Sequence, residues 1–239
     1  MNLTYKEKYN SEYDSFMKEW AREVREWANV SEEQSVFFGD GIFDPDTWFS
    51  NEVRPLFVLK EVNNANDCEV TDDRIIKFVS VDGGDPWDGK TKMWKRFGIM
   101  AAIILQAYDS HTKPDFDKIN EEMSIVRDGE ETHKKICRRS AIINLKKLGG
   151  GGNTNSNKSK ETLCFECHAT RFHDNLIKQI EYIHPTVIIC CGKDSVIEAL
   201  GLGADAEIPT INTYHPAYRG DERDFFGYIV EELEKHGVV

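Results

Sequence analysis

The sequence predicts an α/β fold of three layers, α/β/α, around a central four-stranded parallel sheet. Two observations carry this. Four short apolar runs, Leu56–Leu59, Ser140–Leu145, Thr186–Cys191 and Ile208–Tyr214, are spaced along the chain with helical patterns between them. Strands that alternate with helices pair in parallel through right-handed crossovers. The first run, Leu56–Leu59, is also apolar throughout instead of alternating, as strands are when both faces of their sheet are covered.

The first element is an amphipathic helix over about residues 4–28. Tyr5, Tyr9, Tyr13, Phe16, Trp20, Val24 and Trp27 recur at steps of three and four, with Lys, Arg and Glu between them. That stripe is expected to face the core; left exposed, it would instead be a partner-binding surface. Phe37 to Phe49 is rich in turn residues and aromatics. Arg54-Pro55 leads into the first strand, which ends in Lys60-Glu61-Val62-Asn63-Asn64. Ile99 to Leu105 is apolar enough for a buried helix. After the second strand come a Gly/Asn/Ser loop, Gly149 to Lys160, and a helix ending near His184-Pro185. A short helix, Ser195 to Leu200, precedes the fourth strand, and a helix from about Glu222 to Lys235 follows it. With no internal repeat and no second core pattern, residues 1–239 are read as one domain, expected to be monomeric.

Composition narrows the function. Hydrophobic residues make up 40% of the 239 and charged residues 30%, values of a folded globular chain. No apolar run approaches the roughly 18 residues that span a bilayer, so no membrane partner is expected. The first residues lack the apolar stretch of a secretory signal, which makes a cytoplasmic address the expectation. The net charge is −12, which argues against a broad, non-specific grip on nucleic acid, because such binding works by neutralising phosphates.

In an open parallel sheet, ligands collect beyond the carboxyl ends of the strands. The first strand delivers Glu61, Asn63 and Asn64 to that edge. The second delivers Asn144, then Lys146 and Lys147; the third delivers Gly192, Lys193, Asp194 and Ser195. The fourth delivers His215, then Tyr218 and Arg219. Asn144 is the most informative. An amide in an otherwise apolar strand needs partners for its donors and acceptor once buried. A nucleobase edge supplies such partners, and so does a neighbouring loop.

These motifs resemble the uracil-DNA glycosylase superfamily. Leu59-Lys60-Glu61-Val62-Asn63-Asn64 is similar to its first motif, with Asn63-Asn64 in place of the usual Pro-Gly. Ile143-Asn144-Leu145-Lys146-Lys147 is similar to its strand-Asn-basic element, and the stretch from Ile183 to Gly192 to its third strand. Thr213-Tyr214-His215-Pro216 resembles its His-Pro loop. The resemblance runs in order from about Pro55 to Arg219. It implies a uracil-DNA glycosylase-like fold and a DNA-repair hydrolase that cleaves the N-glycosidic bond of uracil or a related damaged base. It also implies a catalytic pair, Glu61 to orient water and His215 to stabilise the departing base. Asn63 and Asn144 would contact the base, Phe43 or Trp48 would stack on it, and Tyr218 would line the site. Lys147, Lys193 and Arg219 would meet phosphates. The implied partner is nucleic acid or a nucleotide, with no cofactor. A nucleobase-binding module that does not turn over is the other function these features fit.

Six cysteines occur. Cys164-Phe165-Glu166-Cys167-His168 has the spacing of a haem attachment site, which is set aside because no export is expected. With His133 and Cys137 the Cys164/Cys167 pair would make a zinc site, but the second pair is loosely spaced and no metal is expected. Gly149 to Gly152 lacks the Gly-Lys-Ser/Thr of a phosphate-binding loop.

Overall fold

The computed structural model describes residues 3–31, 37–63, 92–123, 125–127, 130–150, 164–192, 194–202, 207–218 and 220–239. For residues 61–63, 92–95, 126–127, 130–131, 133–134 and 149–150 it describes the backbone course alone. The expected Lys193 and Arg219, and most of the loop up to Lys160, lie outside the described residues.

Helix α1, Tyr5–Ala28, starts where Thr4 and Glu7 form a reciprocal capping box and stops at Asn29 in the left-handed conformation. Its stripe is core: Tyr9, Tyr13, Met17, Trp20 and Val24 are buried. Tyr5 is exposed at the helix's first residue and stacks on His184. A partner-binding role for the stripe as a whole is therefore corrected, because the sheet and its neighbours already cover it.

Strand β1, Gly41–Ile42, and helix α2, Pro45–Ser50, precede strand β2, Pro55–Asn63. Helices α3, Lys92–Ser110, and α4, Phe116–Glu122, are followed by a small hairpin of β3, Val126–Arg127, and β4, Glu130–Glu131. Helix α5, Thr132–Arg138, leads into strand β5, Ala141–Gly150. Helices α6, Phe165–Arg171, and α7, His173–Ile183, precede strand β6, Val187–Cys191. Helix α8, Asp194–Leu200, strand β7, Thr210–Thr213, and helix α9, Glu222–Lys235, complete the chain.

Among the described residues the main sheet has five strands in the order β1-β5-β2-β6-β7 and is mixed, which corrects the expected four-stranded parallel sheet. The four expected strands are there and parallel to one another. The addition is β1, two residues antiparallel to β5. It is too short to show a period of two, and its glycine hides it further. Gly41 is held at φ +153°, and a Cβ there would meet the Tyr13 hydroxyl.

Alternate residues of β2 go to opposite faces. Leu56 and Val58 join the core formed with α1, α2, α6, α7 and α8, whereas Phe57 and Leu59 join the core formed with α3, α4, α5 and α9. Both faces of the sheet are thus covered, as the uninterrupted apolar run Leu56–Leu59 requires, and the α/β/α layering follows. Among the described residues no helix is long and apolar enough to cross a membrane.

Candidate functional site

The strand register places one row of residues side by side: Asn144 of β5, Leu59 of β2, Cys191 of β6 and Thr213 of β7. The polar residues expected from sequence lie on this row or just beyond it. Glu61 is two residues past Leu59, opposite Lys146, and His215 is two past Thr213. Strand β2 is the first of the parallel set. The chain places β5 on one side of it and β6 and β7 on the other, so the strand order reverses there. Glu61 and Asn63 sit on its carboxyl end by backbone course, and their side chains lie outside what is described.

His215 lies in the turn that follows β7. The Tyr218 N–H donates to the His215 carbonyl at 2.8 Å, and the Ala217 N–H donates to His215 Nδ1 at 3.1 Å. An amide can only donate, so Nδ1 is the acceptor and the neutral ring carries its proton on Nε2. Burial, with help from the Lys60 ammonium, pushes the imidazole pKa down to about 4. At neutral pH the ring is therefore uncharged and has a hydrogen-bond donor at Nε2.

Lys60 was not among the expected contacts. Its stem crosses Gly192, where an added Cβ would come within 2.6 Å of Lys60 Cε, and its ammonium lies 5.1 Å from the Phe165 ring centre. Glycine at 192 leaves the space this cation occupies. The sequence signal was its place beside Glu61 at a strand end, which alternation assigns to the opposite face.

Asn144 is 2% exposed and fully engaged on one side. Its backbone N–H and its Nδ2 donate to Asp40 Oδ2 at 2.6 and 3.0 Å. A carboxylate accepts only, so the amide must turn its NH₂ towards Asp40. Asn144 Oδ1 is then left as a buried acceptor with no hydrogen-bond partner among the described residues. The neighbouring loop thus accounts for the donor half of the amide and leaves the acceptor half open.

Asp40 is the site-adjacent residue that sequence reasoning missed. Its other oxygen accepts from the Lys147 ammonium, in a close ion pair, and from Gln179 Nε2 at 2.9 Å. Lys147 Nζ also donates to Gln179 Oε1 at 2.8 Å and lies over the Trp20 ring. Burial pulls the Lys147 pKa down against the pull of Asp40. Lys147 is therefore committed to the core, and its expected role at a phosphate is corrected.

Two expected stacking residues are also core. Trp48 is fully buried, and its indole N–H donates to the Ile183 carbonyl at 2.8 Å, near the amino end of β6. Phe43 is buried against Phe97, and its N–H donates to the Ser140 carbonyl, just before β5 begins. Both lie at the amino ends of the strands. Aromatics at the carboxyl edge include Phe38, whose N–H donates to the Lys147 carbonyl, and Tyr218, which stacks on Tyr214 with 41% of its surface exposed.

The zinc alternative fails on placement. Cys137 is buried in the α3-side core, which pushes its thiol up to about 12, whereas Cys164 caps α6 and Cys167 lies within it, on the opposite face. His168 is buried edge-on to Trp27. Among the described residues no group of His, Cys, Asp and Glu is arranged to hold a metal. A cleft of about 870 Å³ lies at the amino ends of β6 and β7, lined by Tyr5, Ile180, His184 and Ile208, and is distinct from the strand-end site. No protein-family model matches the chain, and no curated protein shows significant similarity to it.

Proposed function

We propose that the protein is a DNA glycosylase-like hydrolase that cleaves the N-glycosidic bond of uracil or a related damaged base. The observation that carries this reading is His215: a neutral imidazole with Nε2–H to offer, beside a lysine, two residues past the sheet row that holds Asn144. When the bond from sugar C1′ to the base nitrogen breaks, its electron pair leaves with the base and charge spreads to the carbonyl oxygens. A donor aimed at such an oxygen stabilises that charge as it forms. Glu61, on the carboxyl end of the reversal strand, orients the water that adds to C1′ and takes its proton. The open acceptor of Asn144 suits a base that presents an N–H. The four parallel strands, which carry the motifs in order, support a uracil-DNA glycosylase-like sheet. The base is reached in single-stranded DNA or flipped from a duplex.

A second reading, a nucleobase-binding module without turnover, is favoured by the net charge of −12 and by the withdrawal of Lys147 into the core. One experiment separates the two. Uracil-containing single- and double-stranded oligonucleotides are incubated with the full chain and assayed for abasic sites. Abasic product is expected, with Glu61→Gln or His215→Ala lowering its rate by roughly 100-fold or more. Thermal stabilisation by the oligonucleotide without product selects the binding module, and neither effect across several damaged bases overturns both.

A further inference from the structure

Arg96, on α3, is a buried arginine that neither the motifs nor the proposed chemistry uses; it is 6% exposed. Its guanidinium is spent on one short stretch of chain. Nη1 donates to the Tyr218 carbonyl in a close contact, and Nη2 donates to the Gly220 carbonyl at 3.1 Å. Nε pairs with Glu222 at 3.3 Å, at the first turn of α9, and the whole group lies 5.8 Å from the centre of the Phe225 ring. The planar fork of arginine suits two adjacent carbonyls as the point charge of lysine does not. Both carbonyls belong to the segment that follows His215, and Tyr218 is itself bonded to the His215 carbonyl. The turn that presents the imidazole is therefore closed at one end by strand β7 and at the other by Arg96.

We infer that Arg96 is a positioning residue of the strand-end site, holding the His215 turn closed so that Nε2–H stays aimed at the ligand. The inference rests on the reading of His215 as the donor to the departing base. With the brace removed, Tyr218 and Gly220 lose their anchor, the Ala217 N–H leaves Nδ1, and the ring gains access to water. Burial is the larger cause of the lowered pKa; Lys60 of β2, whose ammonium lies over the Phe165 ring, is the charged group that bears on the ring among the described residues. Relief of burial should therefore dominate the change.

The test uses the full chain labelled with ¹⁵N at histidine, as wild type, Arg96→Ala and Arg96→Lys. Ring-nitrogen shifts report the tautomer and the titration midpoint of His215. Wild type should show the Nε2–H form with a midpoint near 4. Arg96→Ala should show mixed tautomers and a midpoint moved towards 6.5. Arg96→Lys, which reaches one carbonyl, should lie between. In the abasic-site assay the Ala variant should lose about tenfold or more at pH 8 from misplacement. Below pH 6.5 its pH–rate profile should also depart in shape from that of wild type, because the exposed ring then takes a proton that the wild-type ring refuses. A purely structural role would lower the rate equally at every pH. Wild-type tautomer and midpoint in Arg96→Ala overturn the inference; if that variant does not fold, the same result in Arg96→Lys does so. Absence of abasic product from wild type would sink the glycosylase reading while leaving the nuclear-resonance test intact.

Discussion

A histidine that stays neutral when folded and ionises readily when unfolded makes the fold sensitive to mild acid. His215 is held down to about 4 by burial and by Lys60, and His184 is lowered in the same direction by burial and by Arg54. Above the unfolded value near 6.5 both states are neutral, and the full stability is present. As pH falls below that value, the unfolded chain binds protons that the folded chain refuses, and stability declines towards pH 4. The melting temperature is expected to fall between pH 6.5 and 5, before carboxylates dominate the titration. His215→Asn should show a shallower fall over that window, with the residual slope left to His184. An identical slope in the variant would mean that the ring is not shielded. The same burial keeps the ring neutral at pH 7, while the Ala217 N–H on Nδ1 keeps its proton on Nε2, so stability and the proposed chemistry share one environment.

At the scale of elements, the Asp40 carboxylate ties together parts of the chain that share no local sequence signal. It binds Lys147 and Asn144 of β5 and Gln179 of α7, while the neighbouring Asp40 carbonyl accepts from Tyr13 of α1 at 2.5 Å. Lys147→Met would leave that carboxylate buried without its counter-charge, which is expected to cost about 3–5 kcal/mol in urea unfolding. Adding Asp40→Asn to that variant should recover part of the loss, because the stranded charge is gone; no recovery would place the cost in packing instead. The four parallel strands and α1 were legible in the sequence because apolar runs and the aromatic repeat report burial directly. The reach of Lys147 was not. Two lysines before a glycine run read as exposed cations, and the acid that neutralises one of them lies 107 residues away. The backbone continues as strand through those lysines because Phe37 bridges Leu148 and Phe38 bonds Lys147. Phe43 and Trp48 were misplaced for a related reason: aromatic content marks burial, but the end of the sheet at which a turn lies depends on β1, which is two residues long.

For the molecule as a whole, the charge balance sets what kind of nucleic-acid contact the strand-end site can make. A chain of net charge −12 repels a polyanion at long range, so attraction must come from a few cations near the site. Lys60 is one, and Lys193 and Arg219 follow strand ends in the sequence, whereas Lys147 is neutralised inside the core. Each phosphate neutralised on a single strand contributes about −0.7 to the slope of log K against log salt. Three cations therefore give a slope no steeper than about −2. Glu61→Gln, which should bind without turning over, is the form to measure, by fluorescence anisotropy of a uracil-containing single strand over a range of salt. Lys60→Met in that background should flatten the slope by about 0.7 if the ammonium meets a phosphate. It should leave the slope unchanged while weakening binding if the ammonium instead faces the base. A slope several times steeper would require a broad basic groove, which this composition does not supply, and would shift the contact surface away from the strand ends.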